Sequence, residues 1–530
     1  MPTLTITNFG ASLTRYNDGD INSGLAKYGT TFGVDAFTSP GNLTWMENAE
    51  RIDPTGVVVT DLIVAGKERV ESGISYVYAI GHLGRLYKIQ VNDPSTKNPD
   101  YDTPVLLATL TADSPTFTRG GSIDFYGATE RIYVGSDVGV TQIDFDGTGE
   151  VMVGTSATYE QDVPRPLIQF VGNLYFGNGS NIGKIDSTLA VTDYTELEPG
   201  FPDDTQVRDI DVSTDGNYLH IVVSRLALPD ITSTTQDTTL LSNAESYIFK
   251  WNGTDDGYTA FDTFPSFSLN ANVIGGQRQF TFGYDISGAT VFDPTNKILS
   301  PVLSQAPLPN AANMNANIVG WCVPEFAAGV TKASMFLYGP LDNEYPSYSW
   351  YRQLKMTASD TETDVIRVPY QAIVSNFYIA GASNGYTGGV VGNGKQYFST
   401  LETSSAPTTD YKLYKFFGVP STTGTSQAGV YETQNQLFSK KQTIKEVRLY
   451  VEPLVANNEF DVELIGSSGS PITNSKQTFK VGTNATIGDD YMAYNPAIEN
   501  TYVVGLRITN VGSANWTLTK AEIDHENAGK

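Results

Sequence analysis

The chain has 530 residues, 40% of them hydrophobic and 11% aromatic, and a formal charge of −25 from 33 basic and 58 acidic side chains. That length exceeds the ~250–300 residues at which one hydrophobic core stops growing, so two or three folded units, or a unit made of repeats, are expected. The acidic balance argues against a protein that grips nucleic-acid phosphates, because affinity there comes from Lys and Arg displacing counterions.

The chain opens Met1-Pro-Thr-Leu-Thr-Ile-Thr-Asn, without a basic segment or an apolar core, and no stretch approaches the ~18 apolar residues needed to span a bilayer. The expectation is a protein made in a cytoplasm, with no standard export signal and no membrane span. Residues 1–54 hold turn-rich stretches, Arg15 to Gly24 and Pro40 to Trp45, with no sustained period of 3.6 or 2. They read as an extended N-terminal arm with short strands, of the kind that lies on a neighbour or on its own domain.

From 55 to 424 one unit recurs: an aromatic-rich strand, a short Gly or Asp turn, and a second strand. The copies are Ser75–Gly81 with Gly84–Ile89, Arg131–Gly135 with Gly139–Phe145, and Asn173–Gly177 with Ile182–Ile185. Looser copies follow at Tyr218–Val223 with Tyr247–Trp251, Gln279–Gly283 with Gly288–Phe292, Ser334–Gly339 with Tyr348–Tyr351, and Phe377–Gly381 with Gly388–Val391. Their centres are 42 to 61 residues apart, which brackets the ~40–50 of a four-stranded propeller blade with loop insertions. Outer strands are expected at Thr55–Ala65 and Pro104–Leu110 in the first copy, and at Gly121–Tyr126 and Glu150–Val153 in the second. A lone four-stranded sheet leaves both faces apolar and exposed, and radial stacking covers them. The fold class read from this pattern is all-β: a propeller of about seven blades, with two tandem β-sandwiches as the rival layout.

The pattern changes after a Ser/Thr-rich bridge. Lys445–Pro453, Glu459–Ile465, Gln477–Val481, Thr501–Thr509 and Trp516–Ile523 alternate with period 2, as half-buried antiparallel strands do. Residues 425–530 therefore read as one β-sandwich, jelly-roll-like in size.

Little in the chain points to catalysis. His82, His220 and His525 have no second ligand at metal spacing, and the lone Cys322 sits in an apolar run as a small hydrophobe. No Gly-x-Ser-x-Gly stands in the strand-turn-helix context of a nucleophile elbow, and there is no P-loop. The repeated sialidase box is missing, with Ser213–Tyr218 a shortened echo. Carboxylates at a channel mouth would be the one route to glycoside cleavage, and sequence does not supply their spacing. The dense aromatic run Tyr345–Tyr351 suits packing between sheets, or sugar stacking if it is exposed. No enzyme activity and no cofactor are expected. One loop, Asp144-Phe-Asp-Gly-Thr-Gly-Glu150, gathers Asp144, Asp146 and Glu150 in seven residues with Gly for a sharp turn, as calcium loops do. The competing reading is a hairpin turn that uses Asp and Gly for their backbone preferences.

Leu4–Phe9, Asn17–Tyr28, the Pro40–Trp45 turn and Lys440–Tyr450 after the repeats, taken in that order, resemble virion proteins of tailed bacteriophages of the β-propeller type. The resemblance implies a non-enzymatic structural protein of the tail: a nozzle, a tail-tip component or an adhesin. It further implies a homo-oligomeric ring that contacts other tail or portal-complex proteins and a host surface receptor. DNA would pass without specific binding, and the protein would reside in the virion after synthesis in the host bacterial cytoplasm. A glycan-binding or glycan-cleaving propeller and an intracellular interaction scaffold are the alternatives, although Gly-His and Trp-Asp repeat pairs are missing.

Overall fold

A computed structural model describes residues 2–7, 9, 41–45, 63–90, 104–117, 121–192, 201, 205–212, 216–223, 247–254, 257 and 429–528 with their side chains, apart from 434, 468–469 and 515. Elsewhere it describes the backbone of strands only. Among the described residues there is no α-helix.

Five strands precede the repeats: β1 (Thr3–Ile6), β2 (Tyr28–Phe32), β3 (Val34–Asp35), β4 (Leu43–Trp45) and β5 (Glu50–Arg51). The first repeat sheet is β6 (Ile63–Glu71), β7 (Ile74–Gly81), β8 (Arg85–Gln90) and β9 (Pro104–Thr109). The second is β10 (Ser122–Tyr126), β11 (Arg131–Ser136), β12 (Gly139–Ile143) and β13 (Val151–Met152). The third is β14 (Leu167–Phe170), β15 (Asn173–Asn178), β16 (Asn181–Ile185) and β17 (Val191–Tyr194). The fourth is β18 (Gln206–Val212), β19 (Leu219–Ser224), β20 (Ser246–Trp251) and β21 (Ala260–Phe264).

The fifth sheet is β22 (Asn272–Gly275), β23 (Arg278–Asp285), β24 (Gly288–Asp293) and β25 (Ile298–Pro301). Next come β26 (Gly320–Ala327), β27 (Val330–Tyr338), β28 (Ser349–Met356), β29 (Val365–Ile366) and β30 (Tyr370–Ala372) in a five-stranded sheet. The last repeat sheet contains β31 (Thr387–Gly392), β32 (Lys395–Leu401) and β33 (Tyr411–Phe417), and its fourth strand is β5. Pairing in these sheets is antiparallel, and each is a meander of neighbours in sequence except for β30, which pairs with β28, and for the last sheet.

Side-chain alternation explains why these sheets stack. In β11, Ile132 and Val134 enter a core shared with Tyr78, Ile80 and Leu86 of the first sheet. Tyr133, between them, points the other way into a core with Leu174, Phe176 and Ile185 of the third sheet. In β15, Tyr175 faces Ile221, Val223 and Trp251 of the fourth sheet instead. The second and third sheets are thus apolar on both faces, and each face is covered by the neighbouring sheet that lies against it. The repeat tyrosines Tyr78, Tyr133 and Tyr175 are at most 1% exposed, so the aromatic signature of the repeat is core. The first strands β6, β10, β14, β18, β22, β26 and β31 lie each beside the next, and β31 returns to β6.

Arg165, 2% exposed, ties the second sheet to the third. Its guanidinium donates to the carbonyls of Ser136 (3.0 Å), Gly177 (3.2 Å) and Glu160 (2.5 Å) and to Asn178 Oδ1 (2.7 Å). It also lies 4.8 Å from the centre of the Tyr159 ring. Gly135 permits the approach: a Cβ there would collide with the Arg165 carbonyl and the Ser122 hydroxyl.

The terminal domain comprises β34 (Val430–Thr433), β35 (Gln436–Val451), β36 (Glu459–Ile465), β37 (Gln477–Lys480), β38 (Tyr491–Tyr494), β39 (Ile498–Asn510) and β40 (Thr517–Asn527). The long strands β35 and β39 cross between two layers. One layer joins β38, β35 and β40, and the other joins β34, β39, β36 and β37. Val447, Leu449 and Ile523 from the first meet Phe460, Val462, Leu506 and Ile508 from the second in one core.

The N-terminal segment is built into this domain. β1 and β4 pair with β40, β2 pairs with β34, and β3 pairs with β4. Ile6, Phe9, Leu43 and Trp45 belong to the terminal core. Trp45 stacks on Trp516 with centroids 4.0 Å apart, and Trp516 stacks on Phe460 at 4.0 Å. The described parts of the expected arm are therefore committed within the chain, because apolar side chains spaced too irregularly to make their own sheet find cover in a core more than 400 residues downstream.

Two further expectations change. β5 lies within residues 1–54, yet it completes the last repeat sheet by pairing Arg51 with Tyr414 and Glu50 with Lys415. Gly388–Val391, read as the second strand of a hairpin, lies in β31, the first strand of its sheet, and pairs with β32. Its expected partner Phe377–Gly381 and the expected strand start at 55–62 lie outside the described residues.

Candidate functional site

The calcium-loop candidates are separated. The turn after β12 closes with Asp144 N donating to Thr148 O at 2.9 Å and Gly147 N to Asp144 O at 2.9 Å, and this geometry fans the three carboxylates apart. Asp144 takes Arg131 Nε at 2.7 Å. Asp146 Oδ1 accepts from Thr148 N (2.9 Å) and Thr148 Oγ1 (2.6 Å), which holds its carboxyl below the ordinary range. Glu150 reaches across to the preceding sheet, accepting from the amides of Thr111 (2.6 Å) and Ala112 (2.7 Å). Among the described residues no group of three or more His, Cys, Asp or Glu side chains could hold a metal ion. The hairpin-turn reading explains all three positions.

The first strands, in contrast, gather ionisable groups that sequence reading did not single out. Lys67 of β6 meets Asp124 of β10 at 2.5 Å. Asp124, 2% exposed, also accepts from its neighbour Phe125 N (2.7 Å) and, through Oδ2, from Gln169 N of β14 (2.9 Å). One carboxylate thus joins the first strands of three sheets. Such a carboxylate is fully used, and its desolvation is offset by a cation and two amides.

Asp211 of β18 differs. Its Oδ1 accepts from Val212 N at 2.8 Å, and Asp209 in the same strand accepts from Ile210 N at 3.0 Å. Burial in the crowded strand, followed by the charge of Asp209, pushes the Asp211 carboxyl up to about 8, against the pull of the Val212 amide and Lys67. Lys67 and Asp124, whose charges also act on it, belong to the first and second sheets. At neutral pH Asp211 is a carboxylic acid and can donate a hydrogen bond beside the carboxylate of Asp209. A bulge between Val207 and Asp209 sets the local register.

A signal for part of this group exists in the sequence. Lys67 lies opposite Tyr78, and Asp124 lies opposite Tyr133. Superposing the repeats on their tyrosines would have placed the Lys–Asp pair at one level. Of the histidines, His220 is buried in β19 opposite Asp211. His525 is buried at the terminal domain, its Nδ1 at 2.9 Å from Gln442 Oε1, and burial lowers its pKa. The side chains of Cys322 and of the Tyr345–Tyr351 run lie outside the described residues. No helix among the described residues is long and apolar enough to cross a membrane.

No family model and no curated protein matches the chain. Among solved structures, a chain of the "Crystal Structure of Mitotic Checkpoint Complex" is 12% identical, with a TM-score of 0.35, over 71% of this chain and 96% of that one. A likeness that distant carries no argument about function.

Proposed function

We propose that the protein is a structural component of a tailed-phage virion, part of the tail as a nozzle, tip or adhesin, acting in assembly, DNA passage or host contact. In this reading the repeat sheets are the seven blades of a propeller closed by β5, and the terminal domain is a jelly-roll-like sandwich. The observation that carries it is the interlock of the two chain ends. The N-terminal segment supplies strands to the terminal domain and the closing strand to the last repeat sheet, so neither end can be pulled free without breaking a buried core. A particle that must hold under internal pressure and on host contact needs that property. Closed cyclic assembly fits such a part, since head-to-tail contacts that close give rings. The acidic composition suits a wall past which DNA slides.

The test has two arms: the oligomeric state of the purified chain by analytical ultracentrifugation and negative-stain microscopy, and immunogold labelling of phage particles that carry its gene. Rings and labelled tails are the expected outcome. A monomer at high concentration together with unlabelled particles would overturn the proposal. The neutral Asp211 beside Asp209 favours one other reading, a propeller that cleaves glycans at its axis. Hydrolysis of a polysaccharide by the wild type and not by Asp211→Asn would select it.

A further inference from the structure

The outer face of the terminal domain has features that the tail reading does not use. β38, β35, β40 and β1 lie side by side there, and their registers set three rows across the sheet. Tyr491, Tyr450 and Lys520 form the first row, Arg448, Glu522 and Thr5 the second, and Glu446, Asp524 and Thr3 the third. The residues between them, Leu449, Val447, Ile523 and Ala521, are in the core, so the three rows lie on the opposite face of the sheet.

Tyr491 is 45% exposed, and its ring centre is 5.3 Å from that of Tyr450. Beside this ring pair the polar groups are already fixed. Glu522 is held by Lys520 and by the Tyr450 hydroxyl at 3.1 Å. Arg448 Nη2 meets Asp524 at 2.5 Å, Arg448 Nε lies 3.3 Å from Glu522, and the Thr3 hydroxyl donates to Asp524 at 2.6 Å. Lys520 first, then the Tyr450 hydroxyl and last Arg448, keep Glu522 below its ordinary range despite burial. Glu522 and Asp524 are 9% and 8% exposed, so their charges and geometry are held by protein before any ligand arrives.

Charge decides what such a face can hold. Two cations, Arg448 and Lys520, stand among three carboxylates, Glu446, Glu522 and Asp524, so an anionic chain meets net repulsion. Arg448 and Lys520 already neutralise the carboxylate charge that would attract a cationic ligand. A row that alternates donor and acceptor suits groups that both donate and accept, which hydroxyls do. An exposed ring beside it suits an apolar CH face. Both features occur together in a pyranose.

The geometry points to a neutral saccharide chain bound on this face, with Tyr491 as its stacking platform and Arg448, Glu522 and Asp524 as its hydrogen-bonding row. This rests on the terminal domain alone, so it and the tail reading can fail separately. Saturation-transfer NMR on the full chain with maltohexaose, cellohexaose, mannohexaose and N-acetylchitohexaose tests it. The expected result is transfer to the ring protons of at least one sugar. Tyr491→Ala should weaken binding about tenfold, the change expected for one lost stacking platform. Tyr502→Ala, which removes a tyrosine 48% exposed elsewhere on the domain, should leave it unchanged. Absence of transfer to all four sugars, or equal transfer with Tyr491→Ala, overturns the proposal. Should Tyr491→Ala fail to fold, Glu522→Gln decides: unaltered affinity counts against the site and weakened affinity for it.

Discussion

Replacing Trp45 by Ala tests whether the N-terminal segment is part of the terminal core. The indole is fully buried, stacked on Trp516 at 4.0 Å, and its Nε1 donates to Gly429 O at 3.4 Å. Burying and then deleting such a side chain costs about 3–5 kcal/mol, because the transfer free energy is lost and the stacked Trp516–Phe460 pair cannot collapse fully into the space. For a unit of this size each kcal/mol lowers the melting temperature by about 4 °C, so the terminal-domain transition should fall by more than about 10 °C in calorimetry. Leu506→Ala, in the same core but within the terminal domain itself, identifies which transition that is. Trp45→Ala should shift the same one, and Trp45→Phe should shift it less. A loss below about 1 kcal/mol, or a shift in a different transition, would show that β4 does not stabilise this core.

Three other perturbations have defined outcomes. Arg165→Met strands three carbonyls and the Asn178 side chain between the second and third sheets; a loss of about 3 kcal/mol in urea unfolding is expected, and Lys recovers little because it lacks the planar fork. Glu150→Ala removes the acceptor of two amides and should cost about 1 kcal/mol, while calcium or a chelator leaves the wild-type melting temperature unchanged; a calcium-dependent rise would restore the loop as a metal site. Asp211 has a folded pKa raised to about 8, so the folded state retains a proton that the unfolded chain has released. Stability then falls as pH rises from about 4 through about 8, and the penalty is complete above that window. Asp211→Asn should flatten this dependence, melting above the wild type at pH 9 and close to it at pH 4; parallel pH profiles for the two proteins would refute the assignment.

Local pairing was legible in the sequence wherever both strands and their turn lie close together. Arg131–Gly135 and Gly139–Phe145 announce themselves as an aromatic-rich strand, a short turn and a second strand, and β11 (Arg131–Ser136) and β12 (Gly139–Ile143) form there. The last repeat sheet shows the limit of that reading. Its outer strand is two residues long and comes from position 50, more than 360 residues before its partner Tyr414, and no local periodicity encodes such a pairing. The same holds for β1 and β4, whose apolar residues look unpatterned until the core that covers them is known. At the candidate sites the errors ran both ways. Three carboxylates within seven residues suggested a metal, but the turn that makes them close in sequence spreads them in space. Asp211, which nothing in the sequence singles out, has its carboxyl pushed up to about 8 by burial and by the charge of Asp209.

The thinnest and the firmest contacts of the N-terminal segment are adjacent, and that adjacency has a physical consequence. β5 contributes two bridged pairs to its sheet, too few to hold a free strand against the entropy of ordering it. Yet only four residues separate Glu50 from Trp45, which is anchored in the terminal core. The strand is therefore presented to β33 at the high effective concentration of a short tether, and the ordering entropy has largely been met by the Trp45–Trp516 stack. Closure of the last repeat sheet then depends on the stability of the terminal domain and not on its own hydrogen bonds. Weakening the stack by Trp45→Ala should accordingly speed amide exchange in β33, a strand that Trp45 itself does not pair with, while the second and third sheets, held by their own cores and by Arg165, exchange as before.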